Sequence, residues 1–172
     1  MIAQGVTHCH QEGYVHCDLK LDNILVNVHQ DSGQIKDLYI TDFGLSLKYT
    51  ELWRNQELRG SLPYMAPEIL HPDMTFDDKV DSWSLGVILY ELLVKKRPYV
   101  ADSYDELSTR IQTEKLDFSI DELETVSIEA LDLVENLLGR LCIDRLCVAD
   151  ILKQSSLQTK DLNSKFTQLA NN

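Results

Sequence analysis

The chain has 172 residues, 44% apolar and 26% charged, a length and balance that predict one globular domain with a real core and argue against disorder. Its 16 Lys and Arg stand against 28 Asp and Glu, a formal net charge of −12, which argues against a nucleic-acid-binding surface and a polybasic membrane anchor. Cys9, Cys17, Cys142 and Cys147 show no CxxC spacing, so neither a zinc site nor a disulfide framework is expected, and a reducing compartment, the cytoplasm or the nucleus, fits best.

In chain order, Ile2, Ala3, Val6 and Cys9 recur at helical spacing, and Gly13 reads as the stop of a first helix that begins at or before Met1. Residues 14–16, 24–28 and 38–41 read as short strands, with Asp31-Ser32-Gly33 as turn chemistry between the last two. Residues 42–68 lack periodicity and read as a long loop, which inside a compact domain is usually functional. Residues 80–94 are apolar on nearly every side, the pattern of a helix buried all round, and this helix is expected to be the central post of a helical region. Its most apolar stretch, residues 84–94, is too short to span a bilayer and contains Glu91. Residues 102–112 read as a more polar helix. Ser127 is an expected N-cap for a helix carrying Ile128, Leu131, Val134, Leu137 and Leu138, with Gly139 as its stop, and residues 148–152 as a further helix. Residues 102–135 hold 11 acids and 2 bases, nine of the twelve net negative charges. They read as a solvated helical face or as a dock for a basic peptide. No signal peptide is visible at the N-terminus.

Chemistry concentrates in a few short segments. His16-Cys17-Asp18-Leu19-Lys20-Leu21-Asp22-Asn23 lies between two predicted strands, Asp42-Phe43-Gly44 follows the third, and Ala66-Pro67-Glu68 ends the long loop. Taken singly, Asp18 and Asp22 read as solvated loop acids, Asn23 as a turn residue and Asp42-Phe43-Gly44 as a strand-ending turn. Taken with Asp81-x-Trp83-Ser84-x-Gly86 in the buried helix and with Arg145, in this order and spacing, they resemble the catalytic loop, metal-binding motif, activation-segment end, central helix and late arginine of protein kinases. The resemblance covers residues 1–155. It implies a mainly α fold with short β hairpins, a protein-kinase-like C-terminal lobe around a buried central helix, followed by a polar tail over residues 156–172.

The resemblance implies roles for named residues. Asp18 would be the catalytic base that orients and accepts the proton of a substrate hydroxyl, and Lys20 would lie beside the transferring phosphate. Asn23 and Asp42 would hold Mg2+, with Mn2+ as an alternative, and Lys20, Asn23, Leu25 and Asp42 would face ATP, with Ile24 and Leu25 under the adenine. Gly44 would free the backbone after Asp42. Ser61, with Tyr64 in the substrate-facing loop, would contact the base and the lysine. His16 and Phe43 would stack in a spine, Asp81 would hold the catalytic-loop backbone, and Glu68 and Arg145 would form a buried ion pair; Trp83 reads as core packing. Lys20, two residues after Asp18, and Gly60-Ser61-x-x-Tyr64 resemble the serine/threonine branch. The implied partner is a protein substrate, with no nucleic acid and no membrane.

Two departures stand out. Cys17 takes the place of an arginine that in the family receives an activation-loop phosphate, and Asn55-Gln56-Glu57-Leu58-Arg59 contains no Ser or Thr. Activity switched by phosphorylation in this segment is therefore not expected. Cys17 also admits a second reading as a redox-sensitive thiol beside that of a packing residue. Second, no G-x-G-x-x-G occurs in the chain, so it resembles the C-terminal lobe alone. An apolar face would then be open to a full kinase or an N-lobe-containing partner. A non-catalytic scaffold that docks substrates or kinases is the alternative to an enzyme.

Overall fold

The computed structural model describes residues 1–52, 57–71, 75–118 and 126–153. Part of the long 42–68 stretch, including Asn55 and Gln56, part of the acidic stretch and the tail after residue 153 therefore lie outside the described residues.

Helix α1 (Ile2–Gln11) buries Ile2 and Val6 and ends before Gly13, whose φ of +82° is the left-handed conformation expected of a helix stop. The chain then forms β1 (Tyr14–Val15), β2 (Ile24–Val28) and β3 (Ile35–Ile40). The strands β2 and β3 make a hairpin, with Ile24 opposite Ile40 and Leu25 opposite Tyr39, and a bulge at Asn27/Val28. Gly33, with φ +64°, closes the turn by donating its N–H to the His29 carbonyl at 2.8 Å. The strand β3 starts three residues before the sequence reading placed it. Its polar beginning is held by the backbone ladder and by an Asn27–Asp37 side-chain pair at 3.2 Å, neither of which leaves a hydrophobic alternation.

The region 42–68 is not the featureless loop its sequence suggests. It contains β4 (Leu47–Lys48), α2 (Tyr49–Leu52) and single 3-10 turns at Phe43–Leu45, Leu62–Tyr64 and Pro67–Ile69. The β4 strand pairs antiparallel with β1, Tyr14 opposite Lys48 and Val15 opposite Leu47. Among the described residues β2–β3 is a hairpin, and the second antiparallel pair, β1–β4, joins segments far apart in sequence. Elements of two to four residues carry too few positions for periodicity to show, and their stability comes from a distant partner.

The core is built on α3 (Lys79–Val94), where Val80 to Tyr90, Leu93 and Val94 are all buried. Such a helix must be approached from every side, and α5 (Ile128–Leu137) comes closest at Gly86. A Cβ there would lie 2.9 Å from Leu137 Cβ and from Leu138 Cδ2, so the missing side chain lets the two helices cross tightly. Ser127 caps α5 by accepting from Ala130 N–H, as its position predicts, and Ser103 caps α4 (Tyr104–Thr113) in the same way from Glu106 N–H. The short α6 (Val148–Ile151) completes the cluster with Val148 and Ile151 buried. Trp83 is 1% exposed and stacks on Tyr99 with ring centroids 6.3 Å apart. Among the described residues no helix is long and apolar enough to cross a membrane.

Candidate active site

The loop between β1 and β2 presents Asp18. Its backbone is fixed from below by Asp81 of α3, which is wholly buried and accepts the N–H of His16 at 2.8 Å and that of Cys17 at 2.9 Å. A buried carboxylate needs such donors, and here they lock the loop to the buried central helix. His16 adds a second tie. Its Nε2 faces the Thr41 carbonyl at 3.0 Å and must carry the hydrogen, because a carbonyl only accepts; Nδ1 is then the acceptor for Asp18 N–H at 3.2 Å. The His16 ring meets the Phe43 ring with centroids 4.8 Å apart and planes tilted by 57°.

Asp18 is 6% exposed and surrounded by donors. Oδ1 accepts Ser61 N–H at 2.8 Å, Oδ2 lies 3.2 Å from Lys20 Nζ, and Asn23 Nδ2 donates to the Asp18 carbonyl at 2.9 Å with a weaker contact to Oδ2 at 3.4 Å. Lys20 Nζ also donates to Ser61 Oγ at 2.8 Å. Asp18, Lys20 and Asn23, close in sequence, and the distant Ser61 thus form one hydrogen-bonded group. The sequence reading had Ser61 touch both Asp18 and Lys20; the hydroxyl reaches the lysine, while the backbone N–H reaches the aspartate.

Close approach of Ser61 depends on Gly60, a residue whose role the sequence reading did not single out. Its φ is +100°, and a Cβ would lie 2.6 Å from the Cys17 carbonyl oxygen, closer than any side chain tolerates. Cys17 itself has φ +64° and is 5% exposed. Burial first, and then the Asp81 carboxylate, push its thiol up to about 12. A thiol held protonated and out of solvent is a packing residue, so the redox reading is set aside on physical grounds.

Asp42 follows β3 with φ +61°, a left-handed conformation that Asp tolerates better than most side chains. Oδ1 accepts Gly44 N–H at 3.3 Å. Thr41, just before it, donates both its N–H (2.9 Å) and its hydroxyl (3.2 Å) to the Asn23 carbonyl, tying the two segments together. Asn23 Nδ2 is committed to Asp18, which leaves Asn23 Oδ1 and Asp42 Oδ2 without a protein donor among the described residues. Two hard oxygen donors fit Mg2+, which is commonly held by one or two side chains together with substrate phosphates. Among the described residues no group of three or more His, Cys, Asp or Glu side chains could hold a metal ion.

The remaining expected residues sit around this group. Leu25 lies on β2, 55% exposed, outside the hydrogen-bonded cluster. Tyr64 is buried; its hydroxyl donates to Glu91 Oε2 at 2.7 Å, and burial followed by that hydrogen bond pushes the phenol up to about 12. Its carbonyl accepts Ser84 Oγ of α3 at 2.8 Å, which anchors the loop after Ser61 to the central helix. Glu68 and Arg145 form a bidentate pair at 2.5 and 2.8 Å, both buried, with Arg145 also bonded to the Gly139 and Lys79 carbonyls. Such a pair fixes a unique arrangement more than it adds net stability.

Comparison with known proteins bears on this arrangement. The protein kinase domain family matches residues 1–157. The chain is 37% identical over 152 residues to calcium-dependent protein kinase 24 of Arabidopsis thaliana, covering 88% of this chain and 25% of that protein. It is 36% identical over 148 residues to serine/threonine-protein kinase PEPKR2 of Arabidopsis thaliana, covering 86% and 30%. Against serine/threonine-protein kinase 17A of Oryctolagus cuniculus it is 36% identical over 169 residues, covering 95% and 42%. The chain therefore spans between a quarter and about two fifths of the length of these relatives.

Proposed function

This chain belongs to the protein kinase family, and on that premise we propose that residues 1–155 form the C-terminal lobe of a serine/threonine kinase catalytic domain that transfers the γ-phosphate of ATP to Ser or Thr hydroxyls of proteins. The observation that carries the reading is the donor-lined carboxylate of Asp18, with Ser61 N–H on Oδ1 and Lys20 and Asn23 toward Oδ2. The names of the relatives support the Ser/Thr branch. The contact of Lys20 with Ser61 supports it too.

In this reading Asp18 accepts the proton of the substrate hydroxyl as its oxygen bonds to the γ-phosphorus and the bond to the bridging oxygen breaks, releasing ADP. The donors on Asp18 fix which lone pair faces the hydroxyl. Lys20 neutralises charge on the transferring group. Asn23 Oδ1 and Asp42 Oδ2 would hold Mg2+, whose bound charge neutralises the phosphates. Leu25, on the exposed face of the hairpin, would lie under the adenine, and Tyr64 would shape the seat for the substrate backbone after the accepting residue.

The test is incubation of the chain with Mg·ATP labelled at the γ-phosphate and a basic peptide carrying Ser and Tyr. Label on Ser is the expected result. Label on Tyr overturns the branch assignment, and no label on either favours the non-catalytic scaffold.

A further inference from the structure

Beyond the residues given roles above, a continuous set of contacts links the segment after Gly44 to the loop that carries Asp18. Tyr49, the first residue of α2, donates its hydroxyl to Asp78 Oδ2 at 2.5 Å and its N–H to the Gly13 carbonyl at 3.0 Å. Burial first, and then Asp78, push the phenol upward, so it remains a donor. Asp78 stands at the N-cap of α3, and its Oδ2 is 3.5 Å from His10 Nδ1. The His10 ring meets the Tyr49 ring edge-on, with centroids 6.3 Å apart. The other ring nitrogen of His10, Nε2, is 2.8 Å from Asp81 Oδ2 and must carry a hydrogen, since a carboxylate only accepts. That same oxygen receives His16 N–H, and its partner oxygen receives Cys17 N–H.

We propose that Tyr49 and Asp78 form a latch through which α2 positions the catalytic loop, with His10 and Asp81 as the relay. The Asp78 side chain is 29% exposed, so without a fixed donor it is free to turn to water. The Tyr49 hydroxyl holds it beside His10. Held between Asp78 and Asp81, the His10 ring has one orientation, and Asp81 then presents both oxygens to the two loop amides. Loss of the hydroxyl releases Asp78, loosens His10 and leaves Asp81 to hold the loop with one donor misaligned. Both latch residues are positioning residues, since neither touches the reacting groups. Their link to phosphotransfer rests on the reading of Asp18 as the base.

Amide hydrogen exchange on the whole chain tests the latch without relying on activity. Tyr49→Phe removes the hydrogen bond and keeps the ring; Asp78→Asn keeps an acceptor for Tyr49 and removes the charge facing His10. Exchange at the His16 and Cys17 amides is expected to quicken about fivefold in both variants, the change one hydrogen bond is worth. Amides of α5 serve as an internal reference and are expected to stay unchanged. Exchange that quickens only within α2, or equally everywhere, overturns the latch. In a parallel phosphotransfer assay, Tyr49→Phe is expected to lower kcat with the KM for ATP unchanged. A wild-type chain that transfers no phosphate counts against the kinase reading alone, because the exchange result still decides the latch.

Discussion

Cys17 shows how far a residue's environment governs its chemistry. It sits next to the expected base, and its left-handed backbone and burial go with a hydrogen bond from its N–H to the Asp81 carboxylate and the close pass of Gly60 over its carbonyl. Its thiol, raised from the ordinary 9.0 to about 12 by burial and by Asp81, stays protonated at neutral pH. In the unfolded chain the same thiol ionises near 9, so the stability it contributes is complete below that pH and is lost as pH rises toward 12. Alkylation at pH 8 is expected to leave native Cys17 unlabelled and to label it only after denaturation, read by mass spectrometry of the peptide. Labelling at the rate of an exposed thiol would contradict this account of the loop. Asp18, Lys20, Asn23 and Asp42 were legible in the sequence because their order and spacing are themselves the signal. His10 was not, and Gly60 was legible only as part of a motif, because what they do depends on which backbone or carboxylate they meet in three dimensions.

At the scale of elements, α3 organises both the core and the site. The run of apolar residues announces a buried helix, and Ser127 and Gly139 mark the ends of its partner α5. The place where the two touch is set by Gly86. Gly86→Ala is expected to lower stability by about 1–3 kcal/mol in a denaturant melt, despite the higher helix propensity of alanine, because the added methyl has no room against Leu137 and Leu138. A variant as stable as the wild type would mean that the helices can separate freely. The short elements β4 and α2 stayed hidden in the sequence for the opposite reason. Their local pattern is weak, and they exist because β1 and the N-terminus of α3 lie ready to pair with Leu47 and Tyr49.

For the molecule as a whole, the helical cluster serves as a platform with the expected chemistry on one edge. Asp81 holds the loop that carries Asp18, Ser84 holds the segment after Ser61, and the Arg145–Glu68 pair fixes that segment's far end to the loop after α5. The β2–β3 hairpin adds an exposed apolar surface through Leu25, Val26 and Tyr39, where a nucleotide or further polypeptide would be expected to rest. The chain spans only 25–42% of the length of the three relatives named above, and the central proposal for it is a chemical one, Asp18 as the base of a phosphotransfer site. The most direct test is the rate of phosphate transfer to a Ser peptide by the wild type and by Asp18→Asn, with the KM for ATP measured in both. The account expects kcat to fall by about 10²–10⁴-fold, the usual contribution of a positioned base, with the KM for ATP unchanged. An Asp18→Asn chain that transfers phosphate as fast as the wild type would contradict it.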